Sequence, residues 1–173
     1  MNQSLPNIPN QTWTLLVYKI PHQPSRLRVQ IWRKLHRLGA VYLQDSICVL
    51  PATPELEENM QCIAASIEEM GGTFHLFQAT PMMPVGQLRL MDEFRRLSDQ
   101  RLEEILSRLE GLQKSLDSTA PERAEEELKR ERVAYLRARR LAYFGSSHSQ
   151  AVDHRLESLK QGLDELYRRD DEK

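Results

Sequence analysis

The residues best suited to chemistry are five cations in one short stretch, residues 25–38, which contains no acidic residue. In a helix, four of them share one face, and the fifth lies near its border with Trp32. Such a face suits phosphate oxygens, because each neutralised phosphate releases counterions and adds salt-sensitive affinity. The stretch is a candidate nucleic-acid-binding site, and the alternative is an ordinary solvated helix face. The five cations are Arg26, Arg28, Arg33, Lys34 and Arg37.

Arg28 is a separate case within this set. Its direction on the helix is close to that of the apolar Leu35, so we expect it to be half-buried and paired internally. His22, in the preceding loop, is a further candidate for contact with an anion, and a solvated loop position is the simpler expectation.

A second basic cluster lies between Tyr135 and Phe144 and consists of Arg137, Arg139 and Arg140. Basic residues interleaved with aromatic ones can bind nucleic acid. Cations are also normal near a helix C-terminus, where they oppose the helix dipole. We favour the second interpretation, because an acidic run, residues 125–127, precedes the cluster on the same predicted helix.

The remaining reactive residue types form no catalytic pattern. The five histidines have no metal-ligand spacing with each other or with the two cysteines. The sequence contains no Gly-rich phosphate loop, nucleophile elbow or zinc ribbon. We therefore expect no catalytic residue, no metal site and no cofactor, and a protein that is not an enzyme.

The basic stretch belongs to an ordered series of strands and helices. Residues 13–20 predict a strand, and residues 25–38 predict a helix with Ser25 as its N-cap and Gly39 as its stop. Two short apolar runs, 41–43 and 47–50, predict a hairpin. A second helix, from about residue 55 to Gly71-Gly72, and a fourth strand, 73–79, complete the unit.

This order predicts an α+β fold on the ferredoxin-like split β-α-β plan over residues 1–84, with both helices on one face of an antiparallel sheet. The first strand is apolar on both sides, since Leu16 and Tyr18 alternate with Leu15 and Val17. An uncovered apolar face is a liability. We therefore expect the second face to be covered by the partner copy of a homodimer or by the tail.

Residues 85–173 predict a tail of two or three antiparallel helices. Leucine and isoleucine recur at three-four spacing as Leu102, Ile105, Leu109, Leu112 and Leu116, which we name the leucine seam. Thr119 and Glu122 predict a capping box at the start of the next helix, which should run to Phe144. A last helix should follow Ser149.

The composition limits the class of protein. The 173 residues are 28% charged with a formal net charge of -1, so the chain as a whole has no basic attraction to nucleic acid. No apolar run approaches the roughly 20 residues that cross a bilayer, and residues 1–11 lack the features of a secretory signal. Cys48 and Cys62 lie within apolar strand and helix patterns, which indicates no disulfide framework. We expect a cytoplasmic protein without membrane contact.

Four spaced segments, at residues 13–21, 26–35, 38–40 and 46–51, form a pattern across the sheet domain. Together they resemble the N-terminal domain of the chromate-resistance regulator family (ChrB-type). The Gly71-Gly72 pair and the Arg139-x-x-x-Tyr143-Phe144 ending are also similar to that family. The similarity covers nearly the whole chain, with the sheet domain and the helical extension in the same order.

The resemblance implies a transcriptional repressor of a chromate-efflux operon that binds double-stranded DNA. It also implies that arginines near the first helix contact the operator, and by position these are Arg26, Arg28 and Arg33. Longer members continue into a second domain, so a standalone form is expected, with a separately encoded second domain as a candidate partner. The chromate response of that domain is not carried over.

The sheet domain also resembles the small nucleases of CRISPR adaptation and the central domain of phenylacetate-pathway repressors. The nucleases hold a metal with an aspartate at the end of the first strand. This chain has Tyr18, Lys19, Ile20 and Pro21 there, so we do not expect metal-dependent cleavage.

The leading hypothesis is thus a homodimeric DNA-binding transcriptional regulator or regulatory subunit. The alternative is a non-enzymatic interaction module that docks another protein through its leucine-rich helical tail, with the docking face left open, and a degenerate nuclease is a distant third.

Overall fold

The computed structural model describes residues 11–21 and 24–171 of the chain. These residues form ten elements of secondary structure, one of them a single turn of 3-10 helix at Leu116–Ser118. His22 and residues 1–10 of the N-terminal segment lie outside the described residues. The strands and α-helices are, in chain order, β1 (Trp13–Lys19), α1 (Ser25–Arg37), β2 (Val41–Gln44), β3 (Ile47–Pro51), α2 (Pro54–Glu69), β4 (Thr73–Ala79), α3 (Pro84–Ser115), α4 (Pro121–Arg140) and α5 (Ser149–Asp171).

The chain divides into two compact units, one ending at Glu93 and the other beginning at Phe94. The first unit contains the sheet and the second contains most of α3 with α4 and α5. The division falls inside α3. The domain boundary expected at residues 84/85 stays a prediction.

The first unit is built on a four-stranded antiparallel sheet with the strand order β2-β3-β1-β4. The central strand β1 pairs with both β3 and β4, so that Leu16 lies between Cys48 and Leu76. With α1 and α2 inserted between the strands, this is the β-α-β-β-α-β arrangement. The predicted ferredoxin-like fold class, followed by a helical extension, is confirmed.

The inward-facing residues of the two helices form the core of this unit. Ile31 and Leu35 of α1 are fully buried, and Leu27 and Leu38 are half-buried. The predicted inward residues of α2 are all buried; they are Leu56, Met60, Ile63, Ala64 and Ile67. Burial of such side chains is the main favourable term in folding.

Two adjacent glycines between α2 and β4 serve different purposes. Gly71 has φ +74°, a backbone conformation that side chains with a Cβ rarely adopt. A Cβ on Gly72 would lie 2.6 Å from the carbonyl oxygen of Lys19, closer than any real contact. The predicted end of α2 at Gly71-Gly72 therefore requires the positive φ of Gly71 and the absence of a Cβ at Gly72.

Three predicted helix ends were wrong. Ser25 is the first residue of α1 and makes no cap, because Pro24 occupies the N-cap position. Thr119 donates its hydroxyl to the Ser115 carbonyl at 2.7 Å, and the N-cap of α4 is Ala120, so the capping box does not form. Helix α4 ends at Arg140, four residues before the predicted end at Phe144. At α2, Thr53 caps the helix by accepting from the Leu56 amide at 3.3 Å.

The second unit is held together by the leucine seam of α3. Leu102, Ile105 and Leu109 are at most 3% exposed and belong to one buried cluster with residues of α4 and α5. The cluster residues opposite the seam include Ala124, Tyr135, Val152, Leu159 and Leu163. The predicted helical tail is confirmed. The leucine seam is the core of its own unit, so it cannot be the face that docks another protein, and docking through the rest of the helical tail stays a prediction.

The second face of the sheet is covered in one part and open in another. Trp13 is 1% exposed, and its indole N–H donates to the Gln87 side chain at 2.8 Å. Phe77, which pairs with Leu15, is 51% exposed and stacks on His75. Coverage of the open part of this face by a second copy of the chain stays a prediction.

None of the helices in the described part of the chain is long and apolar enough to cross a membrane.

Candidate nucleic-acid interface

Helix α1 presents the basic stretch on its exposed side. Ile31 and Leu35 point into the core and fix the rotation of the helix, so the residues on the other side must face solvent. Arg26, Arg33 and Arg37 are exposed there. No acidic residue occurs between Ser25 and Arg37, so nothing in the helix itself neutralises these charges.

The structure brings four of the five predicted cations onto one surface. Arg26, Arg33, Lys34 and Arg37 line a shallow depression of about 640 Å³ along the helix. Val29, which is 44% exposed, lies among them. The fifth residue, Arg28, is not part of this lining. It is exposed, so the expectation that it is half-buried was wrong.

Lys34 differs from the arginines in its surroundings. Its ammonium group donates to the hydroxyl of Ser66 on α2 at 2.9 Å, and the residue is only half-exposed. Ser66 in turn donates to the carbonyl of Cys62 at 3.0 Å. Lys34 therefore links α1 to α2 at the edge of the basic surface, while Arg26, Arg33 and Arg37 are exposed on it.

A stacked aromatic pair extends this surface and was not predicted from the sequence. The rings of Trp32 and His36 are 5.0 Å apart with an interplanar angle of 16°. Trp32 is 49% exposed although it is a large apolar side chain. The spacing of four residues in a helix is the sequence feature that could have indicated the stack.

The second basic cluster lies at the C-terminal end of α4, as expected for cations that oppose the helix dipole. Arg137, Arg139 and Arg140 are all in the last turn of α4. Cations in that position interact favourably with the partial negative charge of the unsatisfied carbonyl groups.

One group of Asp, His and Ser side chains was not expected from the sequence. Asp99 on α3 accepts from the Ser146 hydroxyl at 2.5 Å and the Ser147 amide at 2.9 Å, and it lies 3.5 Å from Nδ1 of His148. The Ser147 hydroxyl is 3.2 Å from the same Nδ1. A catalytic triad needs the acid and the nucleophile on opposite ring nitrogens. Both contacts here converge on one nitrogen, so this group fastens the loop before α5 to α3.

The two cysteines have different environments. Cys48 is fully buried in β3, and burial raises the pKa of its thiol to about 12. It lies near two tyrosines whose hydroxyl oxygens are 3.5 Å apart, Tyr18 and Tyr42. Burial raises the pKa of both phenols. Cys62 is exposed on α2.

Within residues 11–21 and 24–171, no three His, Cys, Asp or Glu side chains are grouped so that they could hold a metal ion.

The fold and the site define a class of chain: a split β-α-β domain that presents a basic helix and continues into a helical unit. The family model described as Protein ChrB, N-terminal, matches residues 28–169. The chain therefore belongs to the ChrB N-terminal family, and this resemblance is confirmed.

One relative is Protein ChrB of Cupriavidus metallidurans, which is 35% identical over 69 residues. The match covers 40% of this chain and 21% of that protein, so the chain matches only about a fifth of the relative's length. No solved structure matches the chain.

Proposed function

We propose that the chain is the DNA-binding part of a homodimeric transcriptional regulator, and that α1 contacts the phosphates of double-stranded DNA. The observation that carries the proposal is the exposed face of α1, where Arg26, Arg33 and Arg37 gather in a chain whose formal net charge is -1. Local charge asymmetry of this kind is what directs a protein to a polyanion.

The type of cation supports the same proposal. A guanidinium group donates several hydrogen bonds in a fixed plane and matches two phosphate oxygens at once. Four of the five cations are arginines, and all four are exposed. The exposed ring of Trp32 lies on the same helix and adds an apolar surface for sugar or base.

Membership in the ChrB N-terminal family supports a role in chromate resistance, as the resemblance implies. We propose that such a regulator acts in the cytoplasm and without catalysis. The proposal concerns DNA binding and the control of transcription, and it assigns no effector site to this chain.

The test is fluorescence anisotropy of labelled duplex DNA from the upstream region of the gene, with a scrambled duplex beside it, across a salt series. The Arg26→Gln, Arg33→Gln double variant should weaken binding roughly ten-fold and reduce the slope of log K against log salt by about 2, because two phosphate contacts are lost.

The matched control removes the same charge from exposed arginines elsewhere. In the Arg123→Gln, Arg130→Gln variant of α4, affinity and salt slope should stay close to those of the native chain. If the α1 variant and the control bind equally well, α1 is not the interface. If the native chain binds neither duplex at low salt, the proposed function is wrong.

A further inference from the structure

A groove of about 510 Å³ runs between α4 and α5 in the second unit. Its lining includes apolar side chains that also pack on the buried cluster, among them Leu128, Leu156 and Leu163. Leu136 lies in the same groove and is 50% exposed. Half-exposed apolar side chains in a groove between two helices favour a further helix as the occupant.

The α4 side of the groove is predominantly positive. Three cations and one acid line it: Lys129, Arg132, Arg139 and Glu125. Glu125 already pairs with Lys129 at 2.6 Å and accepts from the Tyr167 hydroxyl at 3.1 Å. Arg132 and Arg139 therefore carry the excess positive charge of this side.

The α5 side has the opposite charge. Three acids and one cation line it: Asp153, Glu157, Asp164 and Lys160. Within the described residues, no salt bridge joins these acids to the α4 cations. The Tyr135 hydroxyl interacts with both Asp153 and Arg139, so these two residues lie at one level along the helices.

We propose that the occupant of the groove is a second copy of this chain, and that α4 and α5 of two protomers form a symmetric four-helix interface. The proposal rests on charge self-complementarity. A two-fold axis parallel to the helices places α4 of one protomer beside α5 of its partner at unchanged levels, so Arg139 meets the partner's Asp153. Arg132, two turns earlier, is level with the partner's Lys160 and lies about one turn from the partner's Glu157 and the partner's Asp164.

The apolar lining and the charges have separate roles in this interface. Exposed ion pairs contribute little to affinity, so burial of Leu136 and its neighbours must supply most of it. The charges select the partner helix and the register, because α4 against α4 would bring like charges together. The inference specifies the homodimer of the proposed function and does not depend on DNA binding.

The experiment is sedimentation analysis of the full chain over a range of concentrations. The native chain should form a dimer of twice 20.2 kDa. Leu136→Glu should shift it to monomer, because it buries a charge in the groove. The control is Leu43→Glu on β2, a leucine of similar exposure at 48%, which should leave the dimer intact.

A charge exchange tests the pairing itself. A chain with Arg132→Glu and Arg139→Glu, and another with Asp153→Arg and Glu157→Arg, should each be monomeric. An equimolar mixture should restore the dimer, since both interfaces of the mixed pair then join opposite charges. Circular dichroism of each variant checks that it is folded.

A monomeric native chain at all concentrations would overturn the inference. A native dimer that survives Leu136→Glu, or that Leu43→Glu disrupts instead, would place the interface on another surface and overturn it too. Anisotropy with duplex DNA on the same samples keeps this result separate, because arginine-dependent DNA binding by a monomer would leave the proposed function of α1 standing.

Discussion

The cationic side chains of α1 differ in exposure and in their contacts with the rest of the protein. Four arginines are exposed, whereas Lys34 donates to Ser66 and is half-exposed. The ammonium group of Lys34 keeps two further N–H donors, but its hydrogen bond to Ser66 holds it at the α2 edge of the basic surface. Among the predicted site residues, Arg26, Arg33 and Arg37 are therefore expected to contribute most to DNA affinity.

Trp32 offers an optical test of the interface. The other tryptophan, Trp13, is 1% exposed, so neutral acrylamide should quench chiefly the fluorescence of Trp32. We expect duplex DNA to reduce this quenching, because a phosphate backbone over α1 covers the ring. The measurement is acrylamide quenching with and without DNA.

Trp32→Phe is the control for that assignment. Its remaining emission should be poorly quenched and insensitive to DNA. Bound DNA that leaves the quenching of the native chain unchanged would place Trp32 outside the interface.

The composition of the site could be predicted from the sequence, but its side-chain contacts could not. The absence of acids between residues 25 and 37 and the helical period together indicate a basic face. The Lys34–Ser66 hydrogen bond joins residues on two helices, and the exposure of Arg28 depends on which neighbouring elements pack against that part of α1. Such contacts depend on tertiary structure and leave no local pattern.

The carboxylate of Asp99 is one of several side chains of α3 that hold the loop between α4 and α5 in place, beside Arg95 and Ser98. Desolvation raises the pKa of Asp99, but hydrogen bonds from Ser146, Ser147 and His148 outweigh it and hold the pKa below its usual value. Phe94 reinforces the attachment through edge contacts with Tyr143 and Phe144. The ionised form of Asp99 thus stabilises the folded state.

This contact should make the helical unit sensitive to acid. A lowered pKa in the folded state means that the contribution is complete above the unfolded pKa of about 3.9 and is lost as pH falls through the folded value. Asp99→Asn should therefore lower the free energy of unfolding at neutral pH, and the difference from the native chain should shrink toward pH 3. Denaturant titrations across this range measure it.

Glu126→Gln on α4 is the control, because this glutamate is exposed. It should change the free energy of unfolding little at any pH. A constant difference between Asp99→Asn and the native chain across the range would show that ionisation of Asp99 does not contribute.

Among the elements, strand bounds were easier to predict than helix caps. The predicted strand 73–79 agrees with β4, since glycines precede it and Pro81 follows. The caps at Ser25 and Thr119 failed because each residue lies one position away from the N-cap, which Pro24 and Ala120 occupy. At Thr119 the hydroxyl bonds backward to Ser115, which removes it from the capping position.

For the whole molecule, net charge is a poor guide to where charge acts. The formal sum of -1 combines a helix of five cations with acid-rich segments on α2 and α4. Salt screens exposed charges beyond about 10 Å at moderate ionic strength, so a polyanion senses the nearest surface and not the sum. An unremarkable isoelectric point is therefore compatible with strong salt-dependent binding.

The leucine periodicity of the tail predicted an apolar face but not its occupant. Leu109 and its neighbours in the seam are buried by α4 and α5 of the same unit. The half-exposed Leu136 lies on α4, outside that regular pattern. Periodicity therefore identified the core, and only the tertiary structure distinguished it from the surface.

The unequal burial of the two cysteines has a practical consequence for single-molecule and distance measurements. Maleimide should attach to the exposed Cys62 and spare the buried, protonated Cys48, so the native sequence accepts one dye without any substitution. Cys62 lies one turn before Ser66, which holds Lys34 of α1. A fluorophore at this position would sit beside the basic helix and report the arrival of DNA by energy transfer.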